Sequence, residues 1–148
     1  MTDPTCIFCR IISGEIPAET VFEDEYVKAV LDVHPIAPGH TIVLPKEHAP
    51  TLLELPTELM SGVFTGVQKV TAALEAALGP DGFTIGINHG RHAGQAVDHL
   101  HIHIIPRWEK DGGGSIHSVV NNTPKESLAD IKSKIQQSLN NPKVNASQ

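Results

Sequence analysis

The chain has 148 residues, 40% of them hydrophobic and 19% charged, and a formal net charge of −6 from 11 Lys and Arg against 17 Asp and Glu. That length suits one domain burying about two thirds of its unfolded surface. The negative balance argues against a grip on long nucleic acid, which rests on many cations, though not against a small phosphate ligand; no apolar run approaches the roughly 18–20 residues of a membrane span. The opening "MTDPTCIFCR" lacks the basic-then-apolar build of a secretory signal, so the cytoplasm is the expected compartment.

In chain order, "DPTCIFCRIISGEIP" reads as a short helix with Asp3 as N-cap, Pro4 in the first turn and Ser13-Gly14 at its end. "TVFEDE", "YVKAVLD" and "HTIVLPK" are β-favouring and are punctuated by Pro35, Pro38 and Gly39, which predicts a strand meander. From Pro56 to Leu78 the period changes: Leu59, Val63, Val67, Val70, Leu74 and Leu78 form one helical stripe, closed by Gly79-Pro80. "GFTIGIN" (82–88) reads as a strand, 89–98 as a polar loop, and "HLHIHIIPR" (99–107) as the next strand. After a flexible turn at 109–115, a last helix over 124–139 is predicted, with Thr123, Pro124 and Glu126 as a capping box and Leu128, Ile131, Ile135 and Leu139 as its stripe. The tail 141–148 carries no pattern and is expected to be disordered. These elements predict a single α+β domain over 1–140 with a mainly antiparallel sheet.

In a strand, alternate side chains share a face, so His99, His101 and His103 project together while Leu100, Ile102 and Ile104 face the core. The apolar face needs no further reason, but three histidines opposite it do. A solvated face would be served by other residues. A His₃ metal site is one chemical reading. Nucleophilic catalysis is another: an imidazole titrates near neutrality, attacks phosphorus, and leaves again once protonated.

"GQAVDHLHIHIIPR", with Asn88 six residues upstream, resembles the signature of the histidine triad (HIT) superfamily. The likeness extends over roughly residues 5–120, through "CIFCRIISGEIPAETVFEDE", "LDVHPIAPGHTIVLPKEH" and "PRW…DGGGS". It implies a HIT-like fold: a five-stranded sheet with a long helix, a short N-terminal helix and a C-terminal helix. It also implies a homodimer, and cleavage of nucleoside monophosphate derivatives through a nucleotidyl-histidine intermediate. Carried over, His101 is the nucleophile and His103 contacts phosphate and leaving group. His99 orients His101, with His48 behind it, and Asn88 bonds near the nucleophile and the ribose or phosphate. Gly94, Gln95, Ala96 and Val97 form the phosphate loop, with backbone N–H groups of its first three residues aimed at the anion. Asp32 matches the ribose-binding acid, and Ile7, Phe8, Ile11 and Val33 match positions that sandwich a purine. Ala96 departs from the Ser of many phosphoramidase members, whose hydroxyl helps the leaving group, and Pro106 stands where that branch often has Gly.

Cys6 and Cys9 are the only cysteines, and a C-x-x-C pair supplies half a zinc site or two reduced, buried thiols. Bacterial relatives with this pair resemble proteins that complete a structural Zn²⁺ site with His48 and His99. His34, His40, His89, His92 and His117 read as surface or turn histidines, and Trp108 as a packing residue. The leading expectation is an enzyme acting on adenosine 5′-phosphoramidate-like conjugates, with no organic cofactor. Dinucleoside polyphosphate hydrolysis and a non-catalytic purine-nucleotide-binding module are the alternatives. The scarcity of Lys and Arg near the triad favours an amine leaving group over a phosphate.

Overall fold

The computed structural model describes residues 3–141 and 144. The chain divides into two compact units, Met1–Gly113 and Gly114–Gln148.

The first unit is built on a five-stranded sheet of order β1-β2-β3-β5-β4, every neighbouring pair antiparallel. The strands are β1 (Thr20–Glu23), β2 (Val27–Leu31), β3 (Thr41–Pro45), β4 (Gly82–Gly86) and β5 (Ile102–Arg107), with helices α1 (Ile7–Ile12) and α2 (Thr57–Leu78). The meander predicted for 20–46 is present as β1, β2 and β3, and the return of β5 between β3 and β4 completes the HIT-like α+β arrangement.

Two faces follow from strand alternation. On one, Ala29, Val43, Ile102 and Ile104 pack with Val63, Val67, Val70 and Leu74 of α2. The predicted stripe therefore buries its middle, while Leu78 at its end is exposed. Gly66 lets this helix approach closely: a Cβ there would meet Val27 Cγ2 at 2.5 Å. Gly79 adopts φ 57° and ends the helix as expected. On the other face Val30, Ile42 and Leu44 form a second cluster, covered by Phe8, Ile11 and Ile12 of α1. Ile42 lies opposite His103 in the β3–β5 register. The triad thus occupies the face that α1 covers.

Several predicted boundaries move; β4, for one, ends at Gly86 and not at 88. The N-cap of α1 is Cys6, not Asp3, because the Asp3 carboxylate accepts from Thr5 N–H and Oγ1 in a turn of its own. β5 begins at Ile102, not at 99. Pro45 ends its partner strand without an N–H, Leu100 N–H donates to Ala49 O at 2.6 Å, and the Pro45 carbonyl accepts from the His99 ring. Leaving the ladder there frees His99 and Leu100 for those local bonds.

In the second unit a single 3₁₀ turn at Ile116–Ser118 precedes α3 (Leu128–Leu139). The helix starts four residues later than the predicted box: Ser127 Oγ accepts from Asp130 N–H and donates to Asp130 Oδ2, which satisfies the first turn in place of Thr123. The expected tail beyond Asn141 lies outside the described residues, save Val144. Among the described residues no helix is long and apolar enough to cross a membrane.

Candidate active site

His101 is buried at 6% exposure, with its Nδ1 2.7 Å from the His99 carbonyl oxygen. A carbonyl only accepts, so Nδ1 carries the proton and donates. The lone pair is left on Nε2. The His103 ring lies 5.0 Å away, edge to face. The predicted triad therefore comes together on one surface even though only His103 belongs to the regular strand.

His103 has a partner that the sequence reading missed. His40, read there as a surface or turn histidine, is 5% exposed, and its Nε2 is 2.9 Å from His103 Nδ1. His40 Nδ1 accepts from Ile36 N–H at 3.3 Å, so its own proton sits on Nε2 and is donated to His103 Nδ1. That in turn leaves His103 with its proton on Nε2. Asp32 Oδ2 lies 3.6 Å from His40 Nε2 and 3.9 Å from His103 Nδ1, and its other oxygen accepts from His34 N–H. Burial lowers the His40 pKa, and burial with the nearby histidines lowers that of His103 to about 4. Strand parity is the signal that could have found His40: it stands two residues before Ile42, hence on the triad face, beside the register position of His103.

His99 has the opposite polarity. Its ring is fully buried, its Nε2 donates to Pro45 O at 2.9 Å, and its Nδ1 lone pair faces Cys6 Sγ at 3.5 Å and Cys9 Sγ at 3.6 Å. His48 Nδ1 is 3.3 Å from His99 Nδ1 and 3.4 Å from Cys9 Sγ, while its Nε2 points toward Asp3 Oδ2 at 3.9 Å. Burial pushes the Cys9 thiol pKa up and, as its largest cause, lowers the His99 pKa to about 4. Two thiols and two imidazole Nδ1 atoms thus converge with little but one another to bond. Metal bonds of about 2.0–2.3 Å in a tetrahedron place neighbouring donors about 3.3–3.8 Å apart, the spacing seen here. The far nitrogen of each imidazole faces a carbonyl or carboxylate, as in metal-binding histidines. This donor set fits a metal ion.

The loop before the triad is a 3₁₀ turn, Arg91–Ala93, ended by Gly94 at φ 94°, a conformation that favours glycine. Asn88 sits beside it: a Cβ on Gly94 would be 3.5 Å from Asn88 Nδ2. The loop corrects two expectations. Gly94 N–H is spent on Arg91 O and Gln95 N–H on Gly90 O, as the turn requires, so neither faces an anion. Among the described residues, the N–H groups of Ala96 and Val97 have no protein partner. The Gln95 carboxamide is also committed: Oε1 accepts from Gly90 N–H at 2.7 Å, and Nε2 donates to Pro50 O and Val97 O at 2.7 and 2.9 Å. Its side chain is a staple of the loop. Of the apolar set, Phe8 and Ile11 pack on the second cluster, whereas Ile7 and Val33 are exposed at 47% and 81%. His34, His89, His92 and His117 are exposed, as read from the sequence.

A buried imidazole with a free lone pair, a neighbouring imidazole that donates, and a glycine-shaped loop with two free N–H groups lie together on this face, groups of a kind that can act on a phosphoryl centre. A HIT domain matches residues 13–110, and the chain belongs to the HIT family, whose members are nucleotide-binding hydrolases. An adenosine 5′-monophosphoramidase of Schizosaccharomyces pombe is 41% identical over 109 residues, covering 74% of this chain and 79% of that protein. The crystal structure of a HIT family member from Bacillus subtilis is similar at TM-score 0.81 and 40% identity, covering 93% of this chain and 99% of the other. A zinc-bound histidine triad family protein from Mycobacterium smegmatis is similar at TM-score 0.68 and 30% identity, covering 90% and 97%.

Proposed function

We propose that this chain transfers the nucleoside 5′-monophosphoryl group of adenosine 5′-phosphoramidate-like conjugates to His101 and then to water. The observation that carries the reading is the fixed polarity of the site: His101 Nε2 holds a lone pair and His103 Nε2 holds a proton.

His101 Nε2 forms a bond to the α-phosphorus as the phosphorus–nitrogen bond of the substrate breaks. With the phosphoryl anion bound, His103 enters the step as the imidazolium; it gives its Nε2 proton to the leaving nitrogen, which departs as a neutral amine, and His103 is left as a neutral ring. His101 keeps its Nδ1 proton, donated to the His99 carbonyl, so the nucleotidylated ring is cationic and a good leaving group. Water then attacks the phosphorus, the bond to Nε2 breaks, and the water's proton returns to His103. The bound phosphoryl anion favours a proton on His103, offsetting its burial. The free N–H groups of Ala96 and Val97 are suited to the phosphoryl oxygens. Asp32 would accept from ribose hydroxyls, Asn88 would bond near the nucleophile and the ribose or phosphate, and the purine would lie against Ile7, Phe8, Ile11 and Val33.

Cys6, Cys9, His48 and His99 would hold zinc. Four protein ligands leave no open position, so bound zinc would supply cross-linking and not Lewis acidity at the substrate. Reduced thiols for that site suit a cytoplasmic protein. The edge strand β4, with Ile85 exposed, suits pairing in a homodimer.

Rapid-quench reaction with an adenosine 5′-phosphoramidate, read by intact and peptide mass spectrometry, tests the mechanism. The expected result is an AMP adduct on His101 that His101→Ala lacks while still binding AMP. If nucleotide binds but neither this substrate nor a dinucleoside polyphosphate gives adduct or AMP, the protein is a binding module.

A further inference from the structure

Phe8 lies between the two thiols in sequence and against the nucleophile in space. Its ring meets His101 edge-on with centroids 5.2 Å apart, and meets His99 at 5.9 Å. His101 is also held by the His99 carbonyl at 2.7 Å and lies against the His103 ring at 5.0 Å. The Phe8 and His99 restraints are mounted on the same four-residue cluster. Phe8 rides on α1, a helix of six residues with one buried side chain, Cys9, and no side-chain cap. His99 is itself a member. Next to His48, Ala49 O accepts from Leu100 N–H, and Pro50 O accepts from Gln95 Nε2. Whatever holds 48–50 against α1 therefore also holds 95–101.

An imidazole fixed by a single hydrogen bond pivots easily, because the torsion about its Cβ–Cγ bond is broad. An aromatic edge against the ring blocks that pivot, and in-line attack is sensitive to small misplacements. Building on the covalent reading above, we propose that Phe8 and the His99 carbonyl are positioning groups through which the Cys6/Cys9/His48/His99 cluster aims the His101 ring. A metal held there then governs the rate of nucleotidylation as well as stability.

The test uses the full chain loaded with one equivalent of Zn(II), the same protein after chelation and dialysis, and a loaded Phe8→Leu variant that keeps all four ligands. Three properties are read: folding by circular dichroism, the ¹⁵N shifts of the His101 ring nitrogens, and the adduct-forming rate at saturating substrate. Zinc removal from protein that stays folded should slow adduct formation about 10-fold or more, a typical effect of losing an orienting partner. The His101 nitrogens should shift from a fixed Nδ1–H pattern toward tautomeric averaging. Phe8→Leu should retain one zinc per chain and show part of the same rate loss. Unchanged ring shifts and an unchanged rate in folded, zinc-free protein would overturn the proposal. Should zinc removal unfold the chain, Phe8→Leu decides, and wild-type shifts and rate in that variant would be equally fatal. Should no adduct form even in loaded protein, the covalent reading fails, and the ring shifts alone still decide whether the cluster aims His101.

Discussion

Two groups of histidine with acidic or thiol neighbours lie on one face of the sheet, and they are built for opposite tasks. In Cys6/Cys9/His48/His99 the His99 Nε2 proton is given to Pro45 O, so its Nδ1 lone pair faces the thiols. In Asp32/His40/His103 the His40 Nδ1 accepts from Ile36 N–H, so its Nε2 proton faces the other ring. The first group brings two thiols and two ring nitrogens to one point, a donor set that could hold a cation. The second already supplies its own proton and forms a hydrogen-bonded chain. Each holds two histidines with ring nitrogens close together, one adding two thiols and the other a carboxylate. What further distinguishes them is the partner of the far ring nitrogen, a backbone carbonyl for His99 in one and a backbone N–H for His40 in the other.

The sharpest break of that contrast is Cys9→Ala. It should drop zinc from about one per chain to near zero by elemental analysis. The loss of a ligand bound about 1,000-fold above its dissociation constant costs about 4 kcal/mol, roughly 10 °C in a chain of this size. Equal zinc content and an unchanged midpoint would remove the metal reading.

Next comes His40→Ala, which should cut kcat about 10- to 100-fold without altering zinc content. His40→Gln should recover most of the loss, because a carboxamide NH₂ also donates to His103 Nδ1. If the alanine variant turns over normally, His103 does not depend on this chain for its tautomer.

Acid should act through His103 in the direction its burial dictates. Its pKa is about 4 in the folded protein against 6.5 for an ordinary histidine. As pH falls below about 6.5 the unfolded chain takes up the proton first, so stability is complete above that pH and is lost progressively toward 4. After allowance for partial solvent contact, the loss at pH 4 is on the order of 2 kcal/mol. Urea unfolding across that range should show it, with a shallower slope for His103→Gln; identical slopes would assign the acid sensitivity elsewhere.

The smallest expected effect is none at all. In Cys9→Ala, calorimetric titration with Zn(II) should show no micromolar site at Asp32/His40/His103, since the nitrogen facing the carboxylate carries a proton that binding would have to displace. A stoichiometric site there would erase the distinction between the two groups.

Local pattern was sufficient for much of this molecule. The alternation of "HLHIHIIP" placed three imidazoles on one surface, the three-and-four spacing of 56–78 marked the long helix, and Gly79 marked its end, which needs left-handed backbone. The Cys-x-x-Cys spacing announced a half-site, and the family resemblance named His48 and His99 as its completion, residues that the fold brings to within 3.6 Å of Cys9 Sγ. These features depend on spacing along the chain or on motif, which a sequence displays.

The direction of each proton was settled only by tertiary contacts. Strand parity with Ile42 puts His40 on the triad face, but its burial depends on β5 entering the sheet beside β3. The commitment of the Gln95 side chain and of the Gly94 and Gln95 N–H groups depends on how the loop closes over Pro50 and Gly90. A side chain's identity sets which protons it can hold. Which atom holds one is decided by the groups that meet it when distant segments fold together.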